Sequence, residues 1–318
     1  MSSHRKIAIL GTGGTIAGQG ASAEGSTGYQ AGQLAVAQLL QPIQPMLDAR
    51  HALAQVQQVL QMDSKDMDVP GWQQLAAACV HALEDPDITA LVITHGTDTL
   101  EETAWFLQCV LPASKPVVLT CAMRPADALS ADGPANLRDA VAAALELPAG
   151  VWVVAAGEVH SAAMVRKVHP YRLHAFASYP QGALASVEEG HVQPPLSALS
   201  VPHQRWDASC AWQTPAEQWP WVEVLLSHAG ARAAQAEALV QAGVQGLVVA
   251  CTGNGSIHKA LLPALQQARA QGVVVWKTTR CEQGSIVLAP GEDDAYVSAL
   301  SPVKARISLM LQLLAART

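Results

Sequence analysis

Lys6-Ile7-Ala8-Ile9-Leu10 leads directly into Gly11-Thr12-Gly13-Gly14-Thr15-Ile16-Ala17-Gly18. The first five residues form a short apolar run, the pattern of a parallel strand buried on both faces. Glycine weakens a fold through its backbone entropy, so glycines interleaved with Thr12 and Thr15 at a strand end need a reason. One reason is a turn whose main chain approaches a ligand while a hydroxyl points into the same space; an ordinary glycine-rich connection is the plainer alternative. The spacing also opens like the dinucleotide fingerprint G-x-G-x-x-G. Its third glycine, however, would fall at Ile16, and no helical pattern follows in Gln19–Gly25. A nicotinamide cofactor is therefore not indicated.

Outward from this strand, apolar runs alternate with helical periodicity along the chain. Strands are expected at Ile7–Leu10, Ala90–Thr94, Val117–Cys121, Val151–Ala156, Trp221–Leu226, Gly246–Cys251 and Gly272–Trp276. Helices are expected at Gly32–Leu40, Gly71–Leu83, Leu100–Leu111, Ala135–Leu147, Ala231–Ala242, Ile257–Gln271 and Val303–Ala316. Such alternation implies an α/β protein with parallel-type sheets flanked by helices. The pattern lapses in a proline-rich stretch, dividing the chain into a larger N-terminal domain (1–189), a connection (190–220) and a smaller C-terminal domain (221–318). Trp206, Trp212, Trp219 and Trp221 fall in or beside that connection, which suits packing on the parent domain or a subunit interface equally.

The 318 residues are half apolar and carry a net charge of −7 with no basic run, which argues against nucleic acid and anionic membrane as partners. No segment is long and apolar enough to span a bilayer. Met1-Ser2-Ser3-His4-Arg5 runs straight into the first strand, so no signal peptide is expected and a cytoplasmic location is. The six cysteines (Cys79, Cys109, Cys121, Cys210, Cys251, Cys281) are scattered without C-x-x-C, fitting reduced thiols. The eleven histidines lack a metal-binding spacing. Neither metal nor cofactor is expected.

In open α/β sheets ligands bind beyond the carboxyl ends of the strands. Three polar stretches fall there: Thr12–Thr15, Thr94–Thr99 and Cys121–Pro125. Thr99 followed by Glu102 is a capping-box pattern, so a helix should start at this point. Thr97 and Asp98 would then occupy a strand-to-helix turn whose free N–H groups can hold a negative oxygen. Asp98 or Thr99 could be a mere helix cap; Thr97 has no such explanation. A hydroxyl, a carboxylate and free N–H groups together suit acyl transfer.

Thr12-Gly13-Gly14-Thr15-Ile16-Ala17 and His95-Gly96-Thr97-Asp98-Thr99 together resemble the bacterial-type L-asparaginase/glutaminase family. Asp66-Met67 after Ser64, Ala122-Met123-Arg124-Pro125, Ser130-Ala131-Asp132-Gly133-Pro134 and Gly253-Asn254-Gly255 extend the resemblance, which runs from Lys6 to Lys304-Ala305-Arg306. It implies hydrolysis of L-asparagine to L-aspartate and ammonia through a threonine acyl-enzyme. Thr15 would be the nucleophile, and Tyr29, reached through the Gly18–Gly28 segment, would bond it and close the site as part of a lid. Thr97, Asp98 and Lys167 would form a second catalytic group. Ser64 and Asp98 would hold the substrate's α-carboxylate and α-ammonium, and the N–H groups of Thr97 and Ala122 the oxyanion. Asn254 and Glu292 would complete a neighbouring subunit's site in a homotetramer built from two close dimers.

Physical chemistry asks for these types, since a threonine hydroxyl attacks only when a base takes its proton. A lysine serves as that base when desolvated. Lys167 sits in the largely apolar Ala162–Val168, although Arg166 or Lys167 as a solvated surface charge is the competing reading. Cys121 stands where the family commonly has glycine, and Lys65 follows Ser64 where a neutral residue is common. The segment Cys281–Asp294 looks shorter than in many relatives. Three alternatives stand beside asparagine hydrolysis. They are a preferential glutaminase or mixed activity, a non-hydrolytic amide-binding or amidotransferase subunit, and the nicotinamide enzyme that Ile16 disfavours.

Overall fold

The computed structural model describes residues 5–20, 27–50, 52–112, 114–193, 211–291 and 295–317. Met1–Gln204 form one compact unit and Arg205–Thr318 a second. Most of the expected connection, 194–210, lies outside the described residues, Trp206 and Cys210 with it.

The first unit is built on an eight-stranded sheet. Its parallel strands are β1 (Arg5–Gly13), β2 (Ala52–Met62), β3 (Ile88–Thr94), β4 (Pro116–Thr120) and β5 (Gly150–Ala155). Three further strands, β6 (Glu158–Ser161), β9 (Ala185–Glu188) and β10 (His191–Gln193), extend the sheet beyond β5, each antiparallel to the strand it joins. The order across the sheet is β10-β9-β6-β5-β4-β3-β1-β2. A separate antiparallel ladder pairs β7 (Val165–Lys167) with β8 (Phe176–Ser178). On one sheet face α1 (Val36–Leu39), α2 (Gln44–Ala49) and α5 (Gly133–Ala144) bury Val36, Leu47, Leu137 and Ala140–Ala144 against Ile7, Ile9 and Val92. Two more helices belong to this unit, α3 (Val69–Glu84) and α4 (Leu100–Val110). They meet through Trp72 and Phe106, whose rings stack at 5.1 Å, and through a Trp72 Nε1 bond to Thr103.

Ile7–Leu10 and Leu91–Ile93 are essentially inaccessible, which is why both read as continuous apolar runs rather than alternating ones. The sequence reading misses β2, an edge strand rich in Gln and Ala, both weak strand formers. It also misses the antiparallel strands, which at three or four residues are too short to show a period. Two-residue loops Ala156-Gly157 and Glu189-Gly190, all four residues at positive φ, turn β5 into β6 and β9 into β10. That is the hairpin geometry matching strand twist, made here without the usual Asn-Gly or Asp-Gly signal. The expected helix at Gly32–Leu40 contracts to one turn, because Pro42 and Pro45 divide the next residues between a short 3-10 turn and α2.

The second unit holds a parallel sheet in the order β11 (Val222–Leu226), β12 (Gly246–Cys251), β13 (Val274–Thr279). The helices α6 (Ala234–Gln241) and α7 (Leu262–Ala270) share one core with Leu247, Val249 and Val275. α8 (Pro302–Ala315) packs Leu309 against β12, where any side chain at Gly246 would meet it at 2.9 Å. Strand β13 begins two residues later than expected because Val273 N still bonds Ala268 O to close α7. Trp219 is buried and bonds Thr214 O, whereas Trp221 is 39% exposed.

Candidate active site

The chain passes from β1 outward to β2, then returns to place β3 on the opposite side of β1. The carboxyl ends of β1 and β3 therefore flank a topological switch point, where doubly wound sheets open a crevice. Thr15 follows β1 and Thr97 follows β3; each is 6% exposed. Ser64 opens a 3-10 turn after β2, and Ala122 follows β4.

Glycine brings these turns together. Gly14, at φ 78°, lies so close to the β3 turn that a Cβ would meet Gly96 Cα at 2.3 Å. A Cβ on Gly96 would in turn meet Ser64 Oγ at 2.4 Å. These two glycines thus serve the packing of loop against loop. Thr12, which the motif shares with Thr15, points away and bonds Thr94 O at 2.9 Å in the interior.

Two clusters of side chains result. In the first, Thr15 Oγ1 and the Tyr29 hydroxyl are 2.6 Å apart. Gly18 makes room for the Tyr29 ring, and paired main-chain bonds between Gln19 and Gln30 close the base of the intervening segment. Residues 21–26 of the expected lid lie outside the described residues. In the second, Lys167 Nζ donates to Thr97 Oγ1 at 2.8 Å and to Asp98 Oδ1 at 2.5 Å. The lysine side chain is 17% exposed and the carboxylate 54%, so Lys167 is no solvated surface charge.

Ser64 ties the turns laterally. Its hydroxyl accepts from Asp98 N at 3.2 Å, and its carbonyl accepts from the Thr99 hydroxyl at 2.7 Å. Thr99 is therefore the N-cap of α4 by position only, and the expected capping box is not made. The main-chain N–H groups of Thr97 and Ala122 bond no other described residue, which leaves them able to serve an oxyanion. Asp132 shapes the turn after β4 by accepting from Met123 N and Arg124 N, both at 2.9 Å.

Burial keeps two neighbouring groups, Cys121 and His95, in their neutral forms. Burial pushes the Cys121 thiol well above its ordinary range, which suits an apolar filler. His95 is wholly buried with Nδ1 2.7 Å from Gly96 O, and burial lowers its pKa to about 4. Lys65 turns to Asp66, whose carboxylate raises its pKa; Asp63 and, more weakly, Asp98 add to this.

In the second unit Asn254 makes a two-point pairing with the main chain of Val287. Asn254 Nδ2 donates to Val287 O at 2.8 Å, and Val287 N donates to Asn254 Oδ1 at 2.7 Å. Glu292 lies outside the described residues.

Residues 6–198 match the family model described as Asparaginase, N-terminal, and residues 221–318 the Glutaminase/Asparaginase C-terminal domain. The chain belongs to the asparaginase family. A glutaminase-asparaginase of Pseudomonas fluorescens biotype A is 37% identical over 96% of this chain and 86% of its own. A probable periplasmic L-asparaginase of Haemophilus influenzae is 36% identical over 96% and 88%. Among solved structures, a probable cytoplasmic L-asparaginase from Campylobacter jejuni superposes with a TM-score of 0.88 at 36% identity, covering 97% of this chain and 95% of that one. Within the asparaginase frame, Asp132 and Glu101 are residues that sequence reasoning left without a role. Asp132 had a signal in its own Ser-Ala-Asp-Gly-Pro motif. Glu101 had none beyond lying in the first turn of α4, where acids are common. Its carboxylate accepts from Lys167 N at 3.2 Å.

Proposed function

We propose that this chain hydrolyses L-asparagine to L-aspartate and ammonia through a threonine ester, without a cofactor. The observation that carries the reading is the Lys167 ammonium held between the Thr97 hydroxyl and the Asp98 carboxylate, across the switch point from Thr15. Thr15 Oγ1 attacks the side-chain carbonyl carbon, its proton passing to Lys167 in its neutral amine form, and the oxyanion rests on the N–H groups of Thr97 and Ala122. The C–N bond then breaks and the nitrogen leaves as ammonia with a returned proton. Water attacks the ester carbonyl while Lys167, in its neutral amine form, takes the water proton through the Thr97 hydroxyl, and that proton returns to Thr15 Oγ1 as the ester C–O bond breaks. Ser64 and Asp98 hold the α-carboxylate and α-ammonium, and Tyr29 orients the Thr15 hydroxyl.

A second reading, mixed glutaminase-asparaginase activity, is favoured by the name of the Pseudomonas relative. One methylene alters pocket binding by only about 1–3 kcal/mol. Ammonia release from purified protein given asparagine and glutamine separately decides. Faster turnover of asparagine supports the first reading, comparable turnover supports the second, and no ammonia from either removes both.

The active form is proposed to be a homotetramer of two close dimers, with Asn254 and Glu292 reaching a neighbour's pocket. The family resemblance and the exposed Trp221 and Leu226 support it. Mixed and reassociated Thr15→Ala and Glu292→Ala chains, each inactive alone, should recover partial activity. Exchanged hybrids that stay inactive refute shared sites. A cytoplasmic location is supported by the name of the Campylobacter structure. Among the described residues no helix is long and apolar enough to cross a membrane.

A further inference from the structure

Lys167 reaches its partners from a weak platform. Strand β7 is three residues long and pairs with β8 alone, outside the eight-stranded sheet. A lysine side chain loses much rotamer entropy when it is fixed, so placing Nζ reproducibly requires a fixed main chain beneath it. The fixing contact comes from α4, where Glu101 Oε1 accepts the Lys167 main-chain N–H at 3.2 Å. Lys167 is thereby bonded at both ends to one five-residue segment: through Nζ to Thr97 and Asp98, through N to Glu101. That segment is itself rigid, because Leu100, Thr103 and Ala104 beneath it are completely buried.

We infer that Glu101 is a positioning residue for Lys167, holding β7 against α4 so that the ammonium meets Thr97 and Asp98 together. This rests on the reading of Lys167 as catalytic. The ordinary alternative is an acid that merely favours the N-terminus of a helix, a contribution of charge and not of reach. Two substitutions separate these roles. Glu101→Gln removes the charge but keeps an acceptor oxygen at the same distance. Glu101→Asp keeps the charge but falls a methylene short of Lys167 N.

The test measures kcat and KM for asparagine in the full-length protein carrying E101A, E101D or E101Q, with and without Lys167→Ala. E101A and E101D should each lower kcat about 10- to 100-fold, the effect of a misplacement near an ångström, with KM within about threefold. E101Q should recover most of that loss. In the K167A background E101A should change turnover by less than about twofold, since the residue it positions is gone. An active E101D beside an impaired E101Q would overturn the inference, as would equal losses from E101A in both backgrounds. So would an E101A enzyme that keeps more than half its kcat. If K167A alone retains most of the wild-type turnover, the catalytic reading of Lys167 is what fails. Unchanged melting temperatures across the three Glu101 variants are expected.

Discussion

Thr15 and Thr97 end neighbouring parallel strands and are equally buried, yet their partners differ in kind. Thr15 meets a phenol, a neutral group carried on a segment that closes on itself through Gln19 and Gln30. Thr97 meets an ammonium and lies beside a carboxylate, both braced by Ser64 and α4. The fold thus places an ammonium and a carboxylate on one side of the switch point and a neutral pair of hydroxyls on the other. Two half-sites of this sort suit a reaction in two steps, ester formation and ester hydrolysis, each using one threonine most.

The largest effects should come from breaking either half. Thr15→Ala and Thr97→Ala are each expected to lower turnover of asparagine by about 10²–10⁴ with the fold intact by circular dichroism. Either variant retaining a tenth of wild-type activity would remove that threonine from the chemistry. Asp98→Asn should weaken asparagine binding about 10²-fold, the scale of a lost hydrogen bond to a charged group. It should also narrow the preference over amides lacking the α-ammonium. Unchanged affinity and unchanged preference would exclude the contact.

How far these halves were legible depends on where each residue sits. Thr15, Thr97 and Asp98 stand at the ends of strands buried on both faces, where apolar runs are unmistakable and small polar residues stand out. Lys167 is carried by a three-residue strand in a detached ladder, too short for any periodicity, and only the family resemblance pointed to it. Glu101 was hidden by its helix: an acid two residues past an N-cap looks like a dipole partner until Lys167 N is found beside it. Strand β2, which places Ser64, escaped notice because its exposed edge holds Gln55, Gln57 and Gln61 in place of apolar residues. The resemblance implies that Asn254 completes a neighbouring subunit's site. Its bonds in this chain go to Val287, a contact 33 residues away that no local pattern announces.

A smaller test concerns the turn joining β3 to the Thr97 side. His95 has a folded pKa of about 4 against an ordinary value of 6.5, because burial disfavours the charged ring. Between those values the unfolded chain binds the extra proton, so the stabilisation is complete above about pH 6.5 and is lost as pH falls toward 4. Denaturant titrations should show roughly 2 kcal/mol lost to this group between pH 7 and pH 5, with a shallower decline in His95→Gln. Identical declines in both proteins would contradict a neutral buried imidazole. The mildest effect should follow Tyr29→Phe, about a tenfold fall in kcat for one lost hydrogen bond to Thr15. A loss as large as that of Thr15→Ala would mean that the phenol itself moves the proton, and the contrast between the halves would have to be redrawn.

The assignment of attack to Thr15 is tested most directly by trapping the ester. Wild-type protein mixed with asparagine, quenched in acid within the first turnover and digested, should carry an aspartyl group on the peptide containing Thr15. Thr97→Ala, slow in ester hydrolysis, should accumulate more of it on the same peptide. An aspartyl group on the Thr97 peptide would contradict the account and exchange the roles of the two threonines.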